Sequence, residues 1–156
     1  ILKKENNLIF IRHAIAPGNG DPTNFDISDC STQRNLSKDG EKQALKIGKF
    51  FKENDIKFTK VLSSEWCRCK DTAKIAFGNY EIKDFLNSFY DERFSENKDK
   101  QILDFQTFIK NWDYSRNLVL VTHYVVISEI LNKTTSSGEI IITNNNLEIL
   151  SSLEIN

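Results

Sequence analysis

The chain has 156 residues, of which 39% are hydrophobic and 28% charged, a composition typical of a soluble globular protein. This length predicts a single domain over residues 1–156 with a core of its own. The net charge of −1 leaves no basic field that would hold nucleic acid or an anionic bilayer. Because no apolar stretch approaches the ~18 residues of a spanning helix, no membrane segment is expected. An anionic ligand would therefore need locally placed groups.

The first third of the chain predicts a strand, a long loop and a helix. Residues 7–12 are short, apolar and β-branched, as in a buried strand. Residues 15–36 contain both prolines and form a loop of a length that is usually functional. Ser37 is the expected N-cap of an amphipathic helix over 37–53, with acidic residues in its first turn.

The rest of the chain alternates between strands and helices. The predicted elements are a strand at 60–63, a helix capped by Ser63 or Ser64 and ending at Phe77, a strand at 80–87, a helix at 97–112, a strand at 117–122, a helix at 124–131, and a C-terminal hairpin of 139–143 and 147–150. Such alternation predicts an α/β fold, a three-layer α/β/α sandwich with a mostly parallel central sheet and helices on both faces.

The two histidines of the chain both follow apolar strands directly. His13 comes after the first strand and His123 after the strand at 117–122, while Arg68 lies in the first turn of the helix after 60–63. Ligands of such sheets bind at the carboxyl ends of the strands, so these three side chains should meet at one edge.

The residue types at this edge suit a phosphate. Arg12 and Arg68 can donate parallel hydrogen bonds to phosphoryl oxygens without losing their charge. His13 can accept a phosphoryl group on a neutral ring nitrogen. His123, if protonated, would stabilise the charge that develops on the phosphoryl oxygens, and a carboxylic acid would protonate the leaving oxygen.

Four motifs, in order along residues 8–130, resemble the histidine phosphatase (phosphoglycerate-mutase-like) superfamily. They are Arg12-His13-Ala14, Arg34-x-Leu36-Ser37-x-x-Gly40-x-x-Gln43-Ala44, Ser63-Ser64-x-x-x-Arg68-x-x-x-Thr72-Ala73 and Val121-Thr122-His123. The resemblance implies that His13 is the phosphoryl acceptor. It also implies that Arg12, Arg68 and His123 form the phosphate pocket around it.

Two positions depart from the family pattern. Ala14 replaces the usual glycine, which is similar to the small branches that include the phosphohistidine phosphatases. The run at 29–37, together with Ser64-x-Trp66-Cys67-Arg68, resembles the bacterial lipopolysaccharide core heptose phosphatases. Ser88 stands where the family often has a glutamate that donates the proton. Asp91 and Glu92, a few residues later, could supply that carboxylate or could be ordinary exposed charges. Arg34 is a candidate for substrate binding or for a structural ion pair.

We therefore predict a metal-independent phosphatase without a cofactor, which hydrolyses a phosphomonoester such as a sugar phosphate through a phosphohistidine on His13. The small size of the chain and its lack of long insertions argue against a mutase. A protein phosphohistidine phosphatase is an alternative. A phosphate-binding or regulatory module without turnover is another, because the expected glutamate is missing. The oligomeric state and the physiological substrate stay open.

The cysteines and the start of the chain bear on its compartment. The three cysteines are odd in number, lack the spacing of a zinc site and are interpreted as small half-buried residues. The sequence begins at Ile1 and contains no methionine, so an upstream signal segment could have been removed. A cytoplasmic or a periplasmic or secreted location would both fit. In an oxidising compartment Cys30 and Cys67 could pair.

Overall fold

A six-stranded sheet forms the centre of the computed structural model, which describes residues 6–156. Its strands are β1 (Leu8–Arg12), β2 (Phe58–Ser63), β3 (Glu81–Ile82), β4 (Asn117–Thr122), β5 (Ile140–Thr143) and β6 (Ile149–Leu153). The order across the sheet is β3-β2-β4-β1-β5-β6, in which β1 to β4 run parallel and β5 and β6 pair antiparallel. The helices are α1 (Lys38–Glu53), α2 (Cys67–Phe77), α3 (Lys98–Lys110) and α4 (Tyr124–Leu131). Short 3-10 turns cover Cys30–Thr32, Asp84–Leu86 and Glu92–Asn97.

The central strand β1 is buried on both faces. Leu8 and Phe10 belong to one core cluster and Ile9 and Ile11 to the other, as the period of two in a strand requires. Side chains of α1 and α2 complete the second cluster, and side chains of α3, α4 and the turn at 84–86 complete the first. Helices therefore cover both faces, and the predicted three-layer α/β/α architecture is confirmed.

Helix α1 follows its predicted bounds closely. The Ser37 hydroxyl accepts a hydrogen bond from the Gly40 amide at 3.1 Å and so caps the helix. Gly48 lies against α2, where a Cβ would come within 2.3 Å of the Ala76 carbonyl oxygen. This glycine is required by the close approach of the two helices.

The cap of α2 differs from the prediction. The helix begins at Cys67 with Trp66 as its N-cap, and the Trp66 side chain makes no capping hydrogen bond. The Ser64 hydroxyl is engaged elsewhere, since it accepts from the Trp66 amide at 3.1 Å and lies 2.8 Å from His123 Nε2. The helix ends at Gly78, whose φ of 86° suits glycine.

The third strand and the tail also differ from their predicted bounds. Only Glu81–Ile82 pairs with β2, and the chain then turns at Asp84–Leu86, which buries Phe85 and Leu86 beneath α3. The predicted C-terminal hairpin is present, with its second strand at Ile149–Leu153. Within residues 6–156, none of the helices has the length and apolar character needed to cross a membrane.

Candidate active site

A cavity of about 70 Å³ lies at the carboxyl ends of β1, β2 and β4. His13 follows β1, and His123 follows β4 as the N-cap of α4, so that the two ring centres are 5.6 Å apart. Arg68 reaches the same cavity from the second position of α2. These side chains meet because β2, β4 and β1 are neighbours in the sheet, although they are far apart in the sequence. Arg12 and Arg34 also line the cavity.

His13 is buried, and one of its ring nitrogens is fixed by the backbone. Nδ1 lies 2.8 Å from the Ala14 carbonyl oxygen, which can only accept, so the proton of a neutral ring is on Nδ1. Burial, followed by the charge of Arg68, lowers the pKa of His13 well below its usual value. The imidazole is therefore neutral near pH 7, and its Nε2 carries a free lone pair.

Three arginines surround this neutral histidine. Burial, followed by the charge of Arg68, lowers the pKa of Arg34, and burial also lowers the pKa of Arg12. Arg12 donates to the Thr135 carbonyl, and Arg34 to the carbonyls of Ala16 and Gly20. The Nε atoms of Arg12 and Arg68 are buried and have no hydrogen-bond partner. Both residues line the cavity, where their positive charges suit an anion.

The cavity contains a carboxylate that the sequence analysis did not identify. Asp21 comes from the loop at 15–36, its side chain is 6% exposed, and its Oδ1 lies 2.9 Å from Nη1 of Arg68. Its Oδ2 accepts from Nη2 of Arg68 at 3.3 Å and from the indole Nε1 of Trp66 at 3.0 Å. The backbone amide of Arg34 donates to Oδ1 at 3.0 Å. Asp21 is thus a fixed anion beside one of the three arginines.

His123 is held by two small side chains. The Ser64 hydroxyl lies 2.8 Å and the Cys69 sulfur 3.5 Å from its Nε2. Burial raises the pKa of Cys69 to about 12, so the thiol keeps its proton. Burial and Arg68 lower the pKa of His123 well below its usual value. The Ser64 hydroxyl also donates to Oδ1 of Asn87 at 3.2 Å, and His123 lines the cavity as a neutral ring.

The loop at 15–36 is tied to α2 by a disulfide. Cys30 and Cys67 are bonded, with their Cα atoms 5.8 Å apart. The interpretation of these two cysteines as simple half-buried residues is therefore wrong, and their pairing, expected for an oxidising compartment, is present. The Gln33 side chain adds a second tie, since its Oε1 accepts from the Cys67 amide at 2.9 Å. The loop that brings Asp21 and Arg34 to the cavity is thereby fixed beside Arg68.

Asp91 and Glu92, which the sequence suggested as proton donors, differ in whether they line the cavity. Asp91 lines the cavity, but it forms an ion pair with Arg93 at 2.9 Å, and the hydrogen bonds from Arg93 lower its pKa. Glu92 is exposed and is not among the residues that line the cavity. Ser88 also lines the cavity, and its hydroxyl accepts from the Tyr90 amide at 3.2 Å.

Aromatic side chains form the outer wall of the cavity. Trp66 stacks on Phe25 with ring centres 5.0 Å apart and meets Phe94 edge to face at 5.4 Å. Trp66 is buried, as expected for a core residue, and also lines the cavity. Tyr90, which is 60% exposed, stands at the same cavity. Among the residues described, no group of three His, Cys, Asp or Glu side chains is arranged to hold a metal ion.

Comparison with known proteins places this fold in context. The family model of the histidine phosphatase superfamily (branch 1) matches residues 8–99. None of the curated proteins matches the chain by sequence.

Solved structures with a similar fold include three whose names describe phosphoryl chemistry. The protein histidine phosphatase SixA complexed with tungstate matches with a TM-score of 0.64 and 13% identity, over 94% of this chain and 96% of that one. Phosphoglycerate mutase from Thermus thermophilus matches with a TM-score of 0.63 and 16% identity, over 96% and 99%. A phosphoserine phosphatase variant from Entamoeba histolytica, in complex with phosphoserine, matches with a TM-score of 0.58 and 18% identity, over 87% and 89%. At these identities the likeness establishes a shared fold.

Proposed function

The chain belongs to the histidine phosphatase superfamily (branch 1) and is an enzyme of the phosphatase type, and we propose that it hydrolyses a small phosphomonoester through a phosphohistidine on His13. One observation carries this proposal. A buried neutral imidazole, with its proton fixed on Nδ1 by the Ala14 carbonyl at 2.8 Å, lies in a cavity that Arg12, Arg34 and Arg68 also line.

The state of His13 suits a nucleophile. A protonated imidazole has no lone pair to offer, so the lowered pKa keeps the ring reactive near pH 7. In the first step Nε2 attacks phosphorus, the N–P bond forms, the bond from phosphorus to the ester oxygen breaks, and the alcohol leaves with a proton taken from solvent. In the second step a water oxygen attacks phosphorus and gives a proton back to solvent, and the N–P bond breaks, which releases phosphate and regenerates His13.

The arginines suit the charge of the transferred group. Arg12, Arg34 and Arg68 line the cavity and can donate hydrogen bonds to the oxygens of a phosphoryl group. His123 is a neutral ring that lines the same cavity and can add a hydrogen bond to the phosphoryl group. Donors fixed before the reaction stabilise the developing charge without reorganisation. None of these steps requires a metal ion.

The missing glutamate favours a second candidate substrate, a protein phosphohistidine. Ser88 occupies the family's glutamate position and offers a hydroxyl at the cavity. An imidazole leaving group that already carries a proton needs no acid from the enzyme, whereas an alkoxide does. Comparing a phosphohistidine peptide with 4-nitrobenzyl phosphate would rank the two classes by kcat/KM.

The test uses 4-nitrophenyl phosphate in buffer with EDTA. We expect turnover that EDTA leaves unchanged and that His13→Ala lowers by about 1000-fold or more, the scale on which removal of a covalent nucleophile acts. Asp104→Asn serves as the matched control, because Asp104 is paired with Lys100 on α3 outside the cavity. Rapid quench in base should trap an acid-labile, base-stable phosphohistidine in the wild type.

Two outcomes would overturn the proposal in different ways. Full activity in His13→Ala would exclude His13 as the phosphoryl acceptor. Phosphate binding by the wild type without turnover of any phosphoester would support a binding module instead.

A further inference from the structure

We propose that the substrate is the phosphate ester of a phenol, a substrate class that rests on the proposed function. Two observations support it. The carboxylates that line the cavity are held as anions, and the mouth of the cavity is aromatic. An alkoxide leaving group needs an acid at the site, whereas a phenolate leaves without one. The phenol of tyrosine has a pKa of about 10, against about 16 for water, which simple alcohols resemble.

Asp21 is held as a carboxylate through both of its oxygens. Its Oδ1 accepts from Nη1 of Arg68 at 2.9 Å and from the Arg34 amide at 3.0 Å. Its Oδ2 accepts from Nη2 of Arg68 at 3.3 Å and from the indole of Trp66 at 3.0 Å. The carboxylate thus accepts four hydrogen bonds, and a proton on either oxygen would displace one of these donors.

Asp91 is held in the same way by a single arginine. Nε and Nη2 of Arg93 donate to Oδ1 and Oδ2 of Asp91 at 3.0 and 2.9 Å, and the Arg93 amide donates to Oδ1 at 2.8 Å. These hydrogen bonds lower the pKa of Asp91. Within residues 6–156, Asp21 and Asp91 are the carboxylates that line the cavity. Both are therefore engaged as anions and do not serve to protonate an alkoxide.

The mouth of the cavity offers aromatic surface to the leaving group. In phosphoryl transfer the attacking and leaving atoms lie in line across phosphorus. His13 is only 3% exposed, so the group that it displaces points away from it, toward the exposed end of the cavity. Tyr90 and Tyr124 both line the cavity and are 60% and 37% exposed. The Arg12 guanidinium lies 5.6 Å from the centre of the Tyr124 ring, so aromatic surface adjoins the expected phosphate pocket.

An aromatic leaving group fits this surface better than a small alkyl group. Aromatic rings gain free energy by stacking or by meeting edge to face, in addition to the area that they bury. An aryl group would cover part of the exposed face of Tyr90, whereas a methyl or ethyl group would leave that face in water. The two observations are independent, since one concerns the acid and the other the shape and apolar character of the mouth.

The reaction with a phenyl ester balances without an acid from the enzyme. Nε2 of His13 forms the N–P bond while the P–O bond breaks, and the electron pair of that bond leaves on the phenolate oxygen. The phenolate takes up a proton from solvent after it has departed. Water then attacks the phosphohistidine and gives a proton to solvent, and the N–P bond breaks, which releases phosphate.

The first test compares phenyl phosphate with benzyl phosphate, two esters of similar size whose leaving groups are a phenolate and an alkoxide. General acid catalysis contributes about 100-fold or more where it operates, so we expect kcat/KM of the wild type to be higher for phenyl phosphate by at least that factor. The ratio should be the same in Asp21→Asn and Asp91→Asn. A smaller ratio in the wild type, or a loss confined to benzyl phosphate in either variant, would show that the alkoxide is protonated at the site and would overturn the inference.

The second test measures recognition of the ring apart from the leaving group. Phenylphosphonate and methylphosphonate have no ester bond to break, and each is used as a competitive inhibitor of the hydrolysis of 4-nitrophenyl phosphate. We expect the wild type to bind phenylphosphonate more tightly. Tyr90→Ala should weaken phenylphosphonate by about 2- to 10-fold, the scale of one aromatic contact, and leave methylphosphonate unchanged. Leu103→Ala is the matched control, since Leu103 is 61% exposed on α3 and outside the cavity.

Equal affinities of the wild type for the two phosphonates, or an equal loss of both in Tyr90→Ala, would overturn the preference for an aryl group. Neither result would bear on the phosphohistidine, because His13→Ala tests that step independently. Failure of this inference and failure of the proposed function are therefore distinguishable.

Discussion

The disulfide between Cys30 and Cys67 should account for a large part of the stability of the fold. It joins residues separated by 37 positions. The chain-entropy relation gives about 4 kcal/mol for the constraint that such a loop places on the unfolded chain. For a protein of this length, that corresponds to a fall in Tm of about 10 °C in a Cys30→Ser/Cys67→Ser variant.

The same bond should matter for the affinity of the site. The loop that it ties to α2 carries Asp21 and Arg34, and the first residue of α2, Cys67, precedes Arg68. Without the bond, Gln33 still accepts from the Cys67 amide at 2.9 Å. We therefore expect the double variant to fold and to turn over substrate at low temperature, with a higher KM.

Thermal and urea unfolding of wild type and variant, each with and without dithiothreitol, measure these effects. Reduction should bring the wild type close to the variant and should leave the variant unchanged, which separates loss of the bond from loss of the sulfur atoms. A difference below about 1 kcal/mol in the free energy of unfolding would refute the reasoning, because it would mean that the unfolded chain gains little freedom when the bond is removed.

Two further predictions concern stability. The pKa values of His13 and His123 are lowered in the folded protein, so below about pH 6.5 the unfolded chain binds more protons than the folded one. The free energy of unfolding should therefore fall by about 2–3 kcal/mol between pH 7.5 and pH 5.5. Urea unfolding at the two pH values measures this fall, and equal values would contradict it. Gly48→Ala should destabilise the fold by about 1–3 kcal/mol, because the new Cβ would lie 2.3 Å from the Ala76 carbonyl oxygen. As the control, Lys49→Ala on the exposed face of the same helix should change stability by less than about 0.5 kcal/mol. A stability in Gly48→Ala equal to that of Lys49→Ala would show that the helices can separate at little cost.

The sheet could be predicted from local patterns because its central strands are apolar throughout. The strand at 117–122 is buried at every position, and the fold requires this since helices cover both faces. The third strand was less predictable. Glu81–Ile82 is an exposed edge of two residues, and its end is set by the burial of Phe85 and Leu86 beneath α3. That burial depends on residues far along the chain.

The convergence of His13, Arg68 and His123 could be predicted because the carboxyl ends of parallel strands share one edge. Asp21 could not be found in the same way. It lies in a loop rich in glycine and proline, 47 residues from its partner Arg68. Its position depends on contacts with Trp66 and the Arg34 amide, and neither produces a periodic signal. The cap of α2 was mispredicted for a related reason, because the hydroxyl of Ser64 is used to hold His123.

The charges of the cavity explain why one carboxylate among three arginines is compatible with phosphate binding. Arg12, Arg34 and Arg68 carry three positive charges, the two histidines are neutral near pH 7, and Asp91 is paired with Arg93. The carboxylate of Asp21 leaves two net positive charges, which balance a phosphomonoester dianion.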